Sequence, residues 1–334
     1  MMKSHTNFLL FATLLVVVLI GALDFKVCSG ALHEASLNLK FYKHTCPKAE
    51  KIINTVVDEH AEANPFLGAM LLRIHYHDCF VRGCDASLLL DPSSRTKPVE
   101  KQARPNLSVL GFDVIDDIKT QVEKACPQIV SCADIVALAT RDAVSFQFKR
   151  PLWKVPLGRR DGRISLASEV SPNLPSASSN FSTLLNLFSS KGLNTIKDLV
   201  ALSGAHTVGI SHCGVISRRL FNFTGKGDTD PSLDPIYAKS LKAQCSNHNN
   251  IVEMDPRSST NFDNHYYKNL LEKKGLFNSD ASLLTDRSSA KLVNHFQAGD
   301  KFLLEFAKSM KRMGAMDVLT GKQGEVRKKC HLRN

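Results

Sequence analysis

Apolar positions recur at helical spacing along most of this chain. Between residues 47 and 61, Ile52, Ile53, Val56 and Val57 fall on one stripe, and between 112 and 125 Ile115, Ile118 and Val122 fall on another. Ser131 followed by Asp134 forms a capping-box start before Ile135, Val136, Ala137 and Leu138. Residues 180 to 191 place Leu184, Leu185 and Phe188 together and meet a helix stop at Gly192. Thr195 with Asp198 opens a helix expected to carry His206. A last long helix runs from about Asp300 to Met313, with Phe302, Leu303, Phe306 and Met310 inward. Strand signals are few and short, so the class is mainly α. Residues 91 to 106 and 163 to 179 are rich in Ser, Pro and charge and read as loops. There is no internal repeat and no low-complexity tract.

The N-terminus departs from this pattern. Lys3 precedes an apolar run from Phe8 to Ala22, Asp24 and Lys26 break it, and Cys28-Ser29-Gly30-Ala31 offers small residues for cleavage. That is the anatomy of a secretory signal peptide over residues 1–30, and the run is short for a membrane span. Residues 31–334 then form a single domain, with no later segment apolar enough to span a bilayer. Of nine cysteines, one falls in the leader. The even set that remains, in a secreted chain, points to disulfides, although spacing does not choose partners beyond suggesting Cys79–Cys84.

Of 334 residues, 43% are hydrophobic and 22% charged, a composition that supports a packed core rather than disorder. The net charge is +11. A basic surface suits nucleic acid, anionic lipid or acidic polysaccharide. With no long Lys/Arg run and no zinc-finger spacing, nucleic acid is the weakest of the three.

The chemistry concentrates in residues 71 to 87, Leu-Leu-Arg-Ile-His-Tyr-His-Asp-Cys-Phe-Val-Arg-Gly-Cys-Asp-Ala-Ser. Arg73 and His77 are four apart and share a helix face. Asp78 and Cys79 point elsewhere and begin a loop that Cys84 can clamp. An imidazole can take a proton from a peroxide and return it to the leaving oxygen, and a permanently charged arginine can stabilise the hydroxide that develops. A second histidine stands in Leu-Ser-Gly-Ala-His206-Thr-Val-Gly, where small neighbours permit close approach to a flat group. Taken singly, each is as well read as a structural histidine or a surface arginine.

Together the two segments resemble the plant secretory (class III) haem peroxidases, over about residues 36 to 334. The resemblance implies a mainly α fold of about ten or more helices in distal and proximal lobes, with one haem b between them, few short strands and four disulfides. The implied pairs are Cys46–Cys126, Cys79–Cys84, Cys132–Cys330 and Cys213–Cys245. It implies that Arg73 and His77 act on peroxide, that Asn106 orients His77, and that His206 is the axial ligand of the iron, with Asp280 behind it. It further implies two calcium ions. The distal one would take Asp78, Asp85 and Ser87 with carbonyls of Asp78, Val81 and Gly83, and would reach Glu100 through water. The proximal one would take Thr207, Asp255, Ser258 and Asp263 with the Asn261 carbonyl. Calcium's preference for six to eight oxygen ligands agrees with both sets. Pro175, in Asn173-Leu174-Pro175, matches the mouth at which aromatic donors bind. Trp153 reads as structural, as do His44, His212, His248 and His265.

Two positions depart from the family pattern. Tyr76 stands where Phe is usual, and Met254 stands where Leu or Phe is usual. Asn106-Leu107-Ser108 is also a glycosylation sequon, but an asparagine holding a catalytic histidine cannot carry a glycan. Asn180 and Asn222 are the expected glycan sites.

The expectation is a secreted, monomeric peroxidase of the cell wall or apoplast, with the vacuole less favoured. It would reduce hydrogen peroxide while oxidising small phenols by one-electron steps, in lignification, wall cross-linking or the response to oxidative stress. Two rivals are a basic, pectin-binding wall glycoprotein and a haem-binding protein without turnover. Both leave Arg73, His77, Asn106 and Asp280 unexplained as a set. No Gly-x-Ser-x-Gly or His-Glu-x-x-His motif supports a secreted hydrolase.

Overall fold

The computed structural model describes residues 37–93 and 96–334; the leader expected at 1–30, with Cys28, lies outside them. Ser36–Asn334 forms one compact unit. In chain order its α-helices are α1 (Ala49–Ala63), α2 (Leu67–Arg82), α3 (Phe112–Ala125), α4 (Cys132–Ser145), α5 (Val170–Asn173), α6 (Phe181–Ser190), α7 (Ile196–Ser203), α8 (Cys213–Phe221), α9 (Pro235–Gln244), α10 (His265–Leu271), α11 (Asn278–Ser282), α12 (Arg287–Phe296) and α13 (Lys301–Met313). Two short strands, β1 (Ile210–His212) and β2 (Ile251–Glu253), pair antiparallel with Ser211 opposite Val252. The mainly α class is as expected.

Two groups of helices build the body. In the first, α1 and α3 bury amphipathic faces against α4, and α2 packs on α4 from another side. Helix α4 is buried along its whole length, and α2 over most of it, as central helices of a core must be. Ser131 caps α4 by accepting the Asp134 N–H at 3.2 Å, as its spacing implied. In the second group, α7 packs on α12 and α13, and α10 on α12. Its contacts are aromatic: Tyr267, Phe262, Phe302 and Phe306 stack edge-on or tilted, with ring centres between 4.8 and 5.4 Å apart. One continuous apolar core runs through both groups, and a smaller cluster lies beneath α8, α9 and β2.

Three expectations about local structure need correcting. The helix opened by Thr195 ends at Ser203, so His206 sits in a separate 3-10 turn, Gly204–Thr207. Gly204 is small for a reason internal to the fold, since a methyl there would run into the Tyr267 hydroxyl and the Phe302 ring. Asp78 and Cys79 do not begin a loop: α2 continues to Arg82 and breaks at Gly83, whose φ of 87° suits glycine and whose Cβ would strike the Asp317 backbone. The segments read as loops also hold short turns, Glu100–Gln102, Arg104–Asn106 and Ala167–Glu169, and the one-turn helix α5.

All four disulfides form with the implied partners: Cys46–Cys126, Cys79–Cys84, Cys132–Cys330 and Cys213–Cys245. Cys132–Cys330 straps the C-terminal segment to the start of α4. Nearby, the fully buried Arg327 donates to the carbonyls of Ala86 at 3.0 Å and Gly162 at 2.8 Å. The same segment thereby fixes the loop that follows α2.

Candidate active site

Four residues of turn place Arg73 and His77 on one face of α2, and they touch: Arg73 Nε donates to His77 Nε2 at 3.3 Å. On the other side of the ring, His77 Nδ1 donates to Asn106 Oδ1 at 2.6 Å. The amide is held the right way round because its Nδ2 donates to the Glu100 carbonyl at 2.8 Å. Both contacts require the same tautomer, with the proton on Nδ1 and a lone pair on Nε2. Burial, reinforced by the Arg73 charge, lowers the His77 pKa from 6.5 to about 3. The ring is therefore neutral over the ordinary pH range.

Arg73 is itself pinned. Its Nη1 donates to the Ser108 carbonyl at 2.8 Å, and its Nη2 donates to the Pro105 carbonyl at 3.0 Å and to Ser108 Oγ at 3.1 Å. Sequence reasoning missed Pro105 and Ser108, and backbone carbonyl acceptors leave no residue-type signal to find. Asn106 is fully buried, with both ends of its amide engaged. Tyr76 packs edge-on to His77 at 5.2 Å and against Phe80 at 4.7 Å.

Below this pair, the loop after α2 gathers carboxylates. Asp78 accepts the N–H groups of Ala86 at 2.9 Å and Leu88 at 3.3 Å, and Asp85 accepts that of Ser87 at 2.9 Å. Ser87 Oγ and both carboxylate oxygens of Glu100 are buried without a hydrogen-bond partner among the described residues. Burial, then the neighbouring Asp78, pushes the Glu100 carboxyl up to about 9. Burial likewise raises Asp78, with Asp85 adding to it. Buried carboxylates with unpartnered oxygens are the donor set of a hard cation, and the residues present fit one. Val81, in the last turn of α2, and Gly83, where the helix breaks, are both buried beside this cluster's loop.

The second histidine sits in the 3-10 turn after α7. His206 Nδ1 donates to Asp280 Oδ1 at 2.7 Å, leaving Nε2 without a hydrogen-bond partner among the described residues. Its side chain stays 35% exposed, while that of Asp280 is 2% exposed. Phe277 stands edge-on to His206 at 5.3 Å. Burial would raise the Asp280 carboxyl, but His206, the Phe277 N–H at 2.8 Å and the Tyr266 hydroxyl at 2.9 Å outweigh it. They hold the group below the usual carboxylate range. An imidazole with its Nδ1 turned to a buried carboxylate and its Nε2 turned away fits an axial ligand to iron.

The second acidic cluster also assembles. Thr207 Oγ1 donates to Asp255 at 2.9 Å and to Asp263 at 3.2 Å, and Ser258 Oγ donates to Asp263 at 2.7 Å. The Asn261 N–H closes the turn on the Ser258 carbonyl at 2.9 Å. Asp255 is further held by His265 Nδ1 at 2.8 Å and Asn269 Nδ2 at 2.5 Å. His265, expected to be structural, is thus satisfied by a carboxylate of this cluster. Pro175 is half-buried, and its segment is tied to α11: Ser279 N donates to the Ala177 carbonyl at 3.0 Å and Asn278 Nδ2 to that of Ser178 at 3.0 Å. Asn180 and Asn222 are exposed.

This arrangement sets one buried histidine beside a pinned arginine, and a carboxylate-backed histidine elsewhere in the same unit. A family profile described as Peroxidase matches residues 53–299. Peroxidase 24 of Arabidopsis thaliana is 56% identical over 309 residues, covering 90% of this chain and 88% of that protein. Peroxidase 39 of Arabidopsis thaliana is 48% identical over 329 residues, covering 97% and 98%. Peroxidase 1 of Oryza sativa subsp. japonica is 46% identical over 309 residues, covering 90% and 94%. The chain belongs to the plant secretory (class III) haem peroxidases. It is an oxidoreductase of hydrogen peroxide and donor substrates, and membership of the family implies haem. No helix among the described residues is long and apolar enough to cross a membrane.

Proposed function

We propose that this chain is a secreted, monomeric peroxidase that takes two electrons, one at a time, from phenolic donors for each hydrogen peroxide reduced to water. His206 Nε2 would hold one haem b, whose iron supplies the site where peroxide binds and the store from which donors are oxidised. His77 takes the peroxide proton at Nε2, the lone pair that Arg73 Nε now contacts, and returns it to the departing oxygen. Arg73, fixed by Ser108 and the Pro105 carbonyl, presents its charge to that oxygen as it becomes hydroxide. Asp280 keeps the His206 proton on Nδ1, so that Nε2 would be the atom offered to the iron.

The contacts of His77 with Asn106 on one side and Arg73 on the other, which together call for one tautomer, carry this reading. Two calcium ions would occupy the acidic clusters. One would take Asp78, Val81, Gly83, Asp85 and Ser87, with Glu100 through water. The other would take Thr207, Asp255, Ser258, Asn261 and Asp263. Phenols would enter past Pro175. A leader over residues 1–30, removed on secretion, the remaining single domain, glycans on Asn180 and Asn222, and delivery to the cell wall complete the proposal.

An acidic wall polysaccharide is a fitting partner. A cleft of about 530 Å³ is lined by Arg160, Arg163 and Arg333 with Gln128, Val326 and Asn334, against the carboxylate of Glu325, and none of the proposed catalytic residues lines it. Guanidinium groups bind carboxylates, and with no aromatic side chain the cleft offers bases nothing to stack on.

The test is peroxide-dependent oxidation of guaiacol by the haem-loaded chain and by its Arg73→Leu and His77→Ala variants. Turnover in the parent and a loss of about 100-fold or more in each variant is expected. Equal turnover in all three would sink the assignment.

A further inference from the structure

Asp280 serves more than one donor, and the second bears on the first. Tyr266 lies on α10, fully buried, and its hydroxyl donates to Asp280 Oδ1 at 2.9 Å. That is the oxygen that accepts the His206 Nδ1 proton at 2.7 Å. The other oxygen, Oδ2, accepts the Phe277 N–H at 2.8 Å. The phenol makes no other hydrogen bond among the described residues, and its ring stands edge-on to His206 at 6.1 Å. Burial, then the Asp280 charge, pushes the Tyr266 hydroxyl well above its ordinary range, so it remains a donor at every working pH.

Two donors on one carboxylate oxygen share its electron density. Each weakens the bond the other can make, since a hydrogen-bonded carboxylate oxygen is a weaker acceptor for a further proton. We infer that Tyr266 is a positioning residue that moderates the pull of Asp280 on His206, and so sets how strongly His206 binds iron. The inference rests on the proposed role of His206 as the axial ligand. The hydroxyl orients the carboxylate and limits the anionic character of the imidazole. Greater anionic character favours the ferric state, so the phenol raises the iron's reduction potential above the value Asp280 alone would give.

A packing role for Tyr266 would leave these properties unchanged when only its hydroxyl is removed. Tyr267 supplies the matched control. It is the next residue, equally buried, and its hydroxyl donates instead to the Val200 carbonyl at 2.9 Å.

The experiment compares the haem-loaded parent with Tyr266→Phe, Tyr267→Phe and Asp280→Asn. Two readouts are taken: the iron–imidazole stretch of the ferrous state by resonance Raman, and the ferric/ferrous midpoint potential. The expected result for Tyr266→Phe is a higher stretching frequency and a lower potential. Asp280→Asn should shift both the opposite way, and Tyr267→Phe should shift neither. If Asp280→Asn shifts both readouts and Tyr266→Phe shifts neither, or shifts them in the Asp280→Asn direction, the role of Tyr266 is overturned while His206 keeps its place. Equal shifts in both tyrosine variants would mean a general loosening of α10, and would overturn it too. Absence of an iron–imidazole band in the parent would remove the reading of His206 itself.

Discussion

His77 Nδ1–H donates a hydrogen bond to Asn106 Oδ1 across 2.6 Å, and the same asparagine donates from its Nδ2 to the Glu100 carbonyl. A base in the α2 helix is thereby oriented by a turn that leads into a buried acidic cluster. Asn106→Val keeps the volume but removes the acceptor. We expect it to slow the reaction with peroxide by about 10- to 100-fold, the usual effect of losing a partner that orients a functional histidine. Stopped-flow rates with and without saturating donor check this, and an unchanged rate constant for peroxide would contradict it. Peptide mapping should also find Asn106 free of sugar, because its amide is fully engaged and buried.

The His77 pKa, lowered to about 3 by burial and Arg73, sets an acid limit on catalysis. The rate of reaction with peroxide should stay level from neutral pH down to about 4 and fall as His77 protonates near 3. His75, buried beside Arg159, is lowered to about 3 as well. Between about 3 and 6.5 the unfolded chain binds protons that these two folded rings refuse. Their contribution to stability is therefore full above the ordinary histidine pKa and is lost as pH falls toward 3. Rapid-mixing rates across this range decide the first point; an acid limb centred near 6.5 would mean that His77 is not buried as described.

Calcium removal should reach the proximal histidine through its neighbours. Thr207 follows His206 in the same 3-10 turn and binds Asp255 and Asp263, and Asp78 follows His77 on α2. Chelation is expected to lower both activity and the thermal midpoint. A bound ion at a hundred times its dissociation constant contributes about 2.7 kcal/mol per site. Metal analysis paired with calorimetry measures this. Full activity in demonstrably calcium-free protein would contradict it.

Gly204→Ala tests the turn that presents His206. The added methyl meets the Tyr267 hydroxyl and the Phe302 ring, so a loss of about 1–3 kcal/mol is expected from overpacking. Urea titration reads the loss directly, and a variant as stable as the parent would show that the aromatic cluster relaxes freely.

Much of this site was legible in the sequence because its parts obey local rules. Arg73 and His77 declare a shared helix face by their spacing, and Ser131 and Thr195 are caps that also perform as caps. What escaped is what depends on tertiary placement. The carbonyls of Pro105 and Ser108 that hold Arg73 belong to backbone and carry no residue-type signal. Tyr266 stands in no motif that marks it, and only the fold lays its hydroxyl on Asp280. The helix begun at Thr195 was expected to reach His206, but Gly204 favours a tighter turn and packs against α10 and α13. His265 reads as structural in the sequence, and only the fold reveals that it and Asn269 hold Asp255.

The most direct test of the central claim is an absorbance spectrum of the purified haem-loaded protein, taken before and after one equivalent of hydrogen peroxide and again after guaiacol. The expected result is a Soret band that loses intensity with peroxide and recovers with the phenol, and that barely responds to peroxide in His77→Ala. A parent Soret band indifferent to peroxide would contradict the assignment of Arg73 and His77, and no Soret band after haem loading would contradict that of His206.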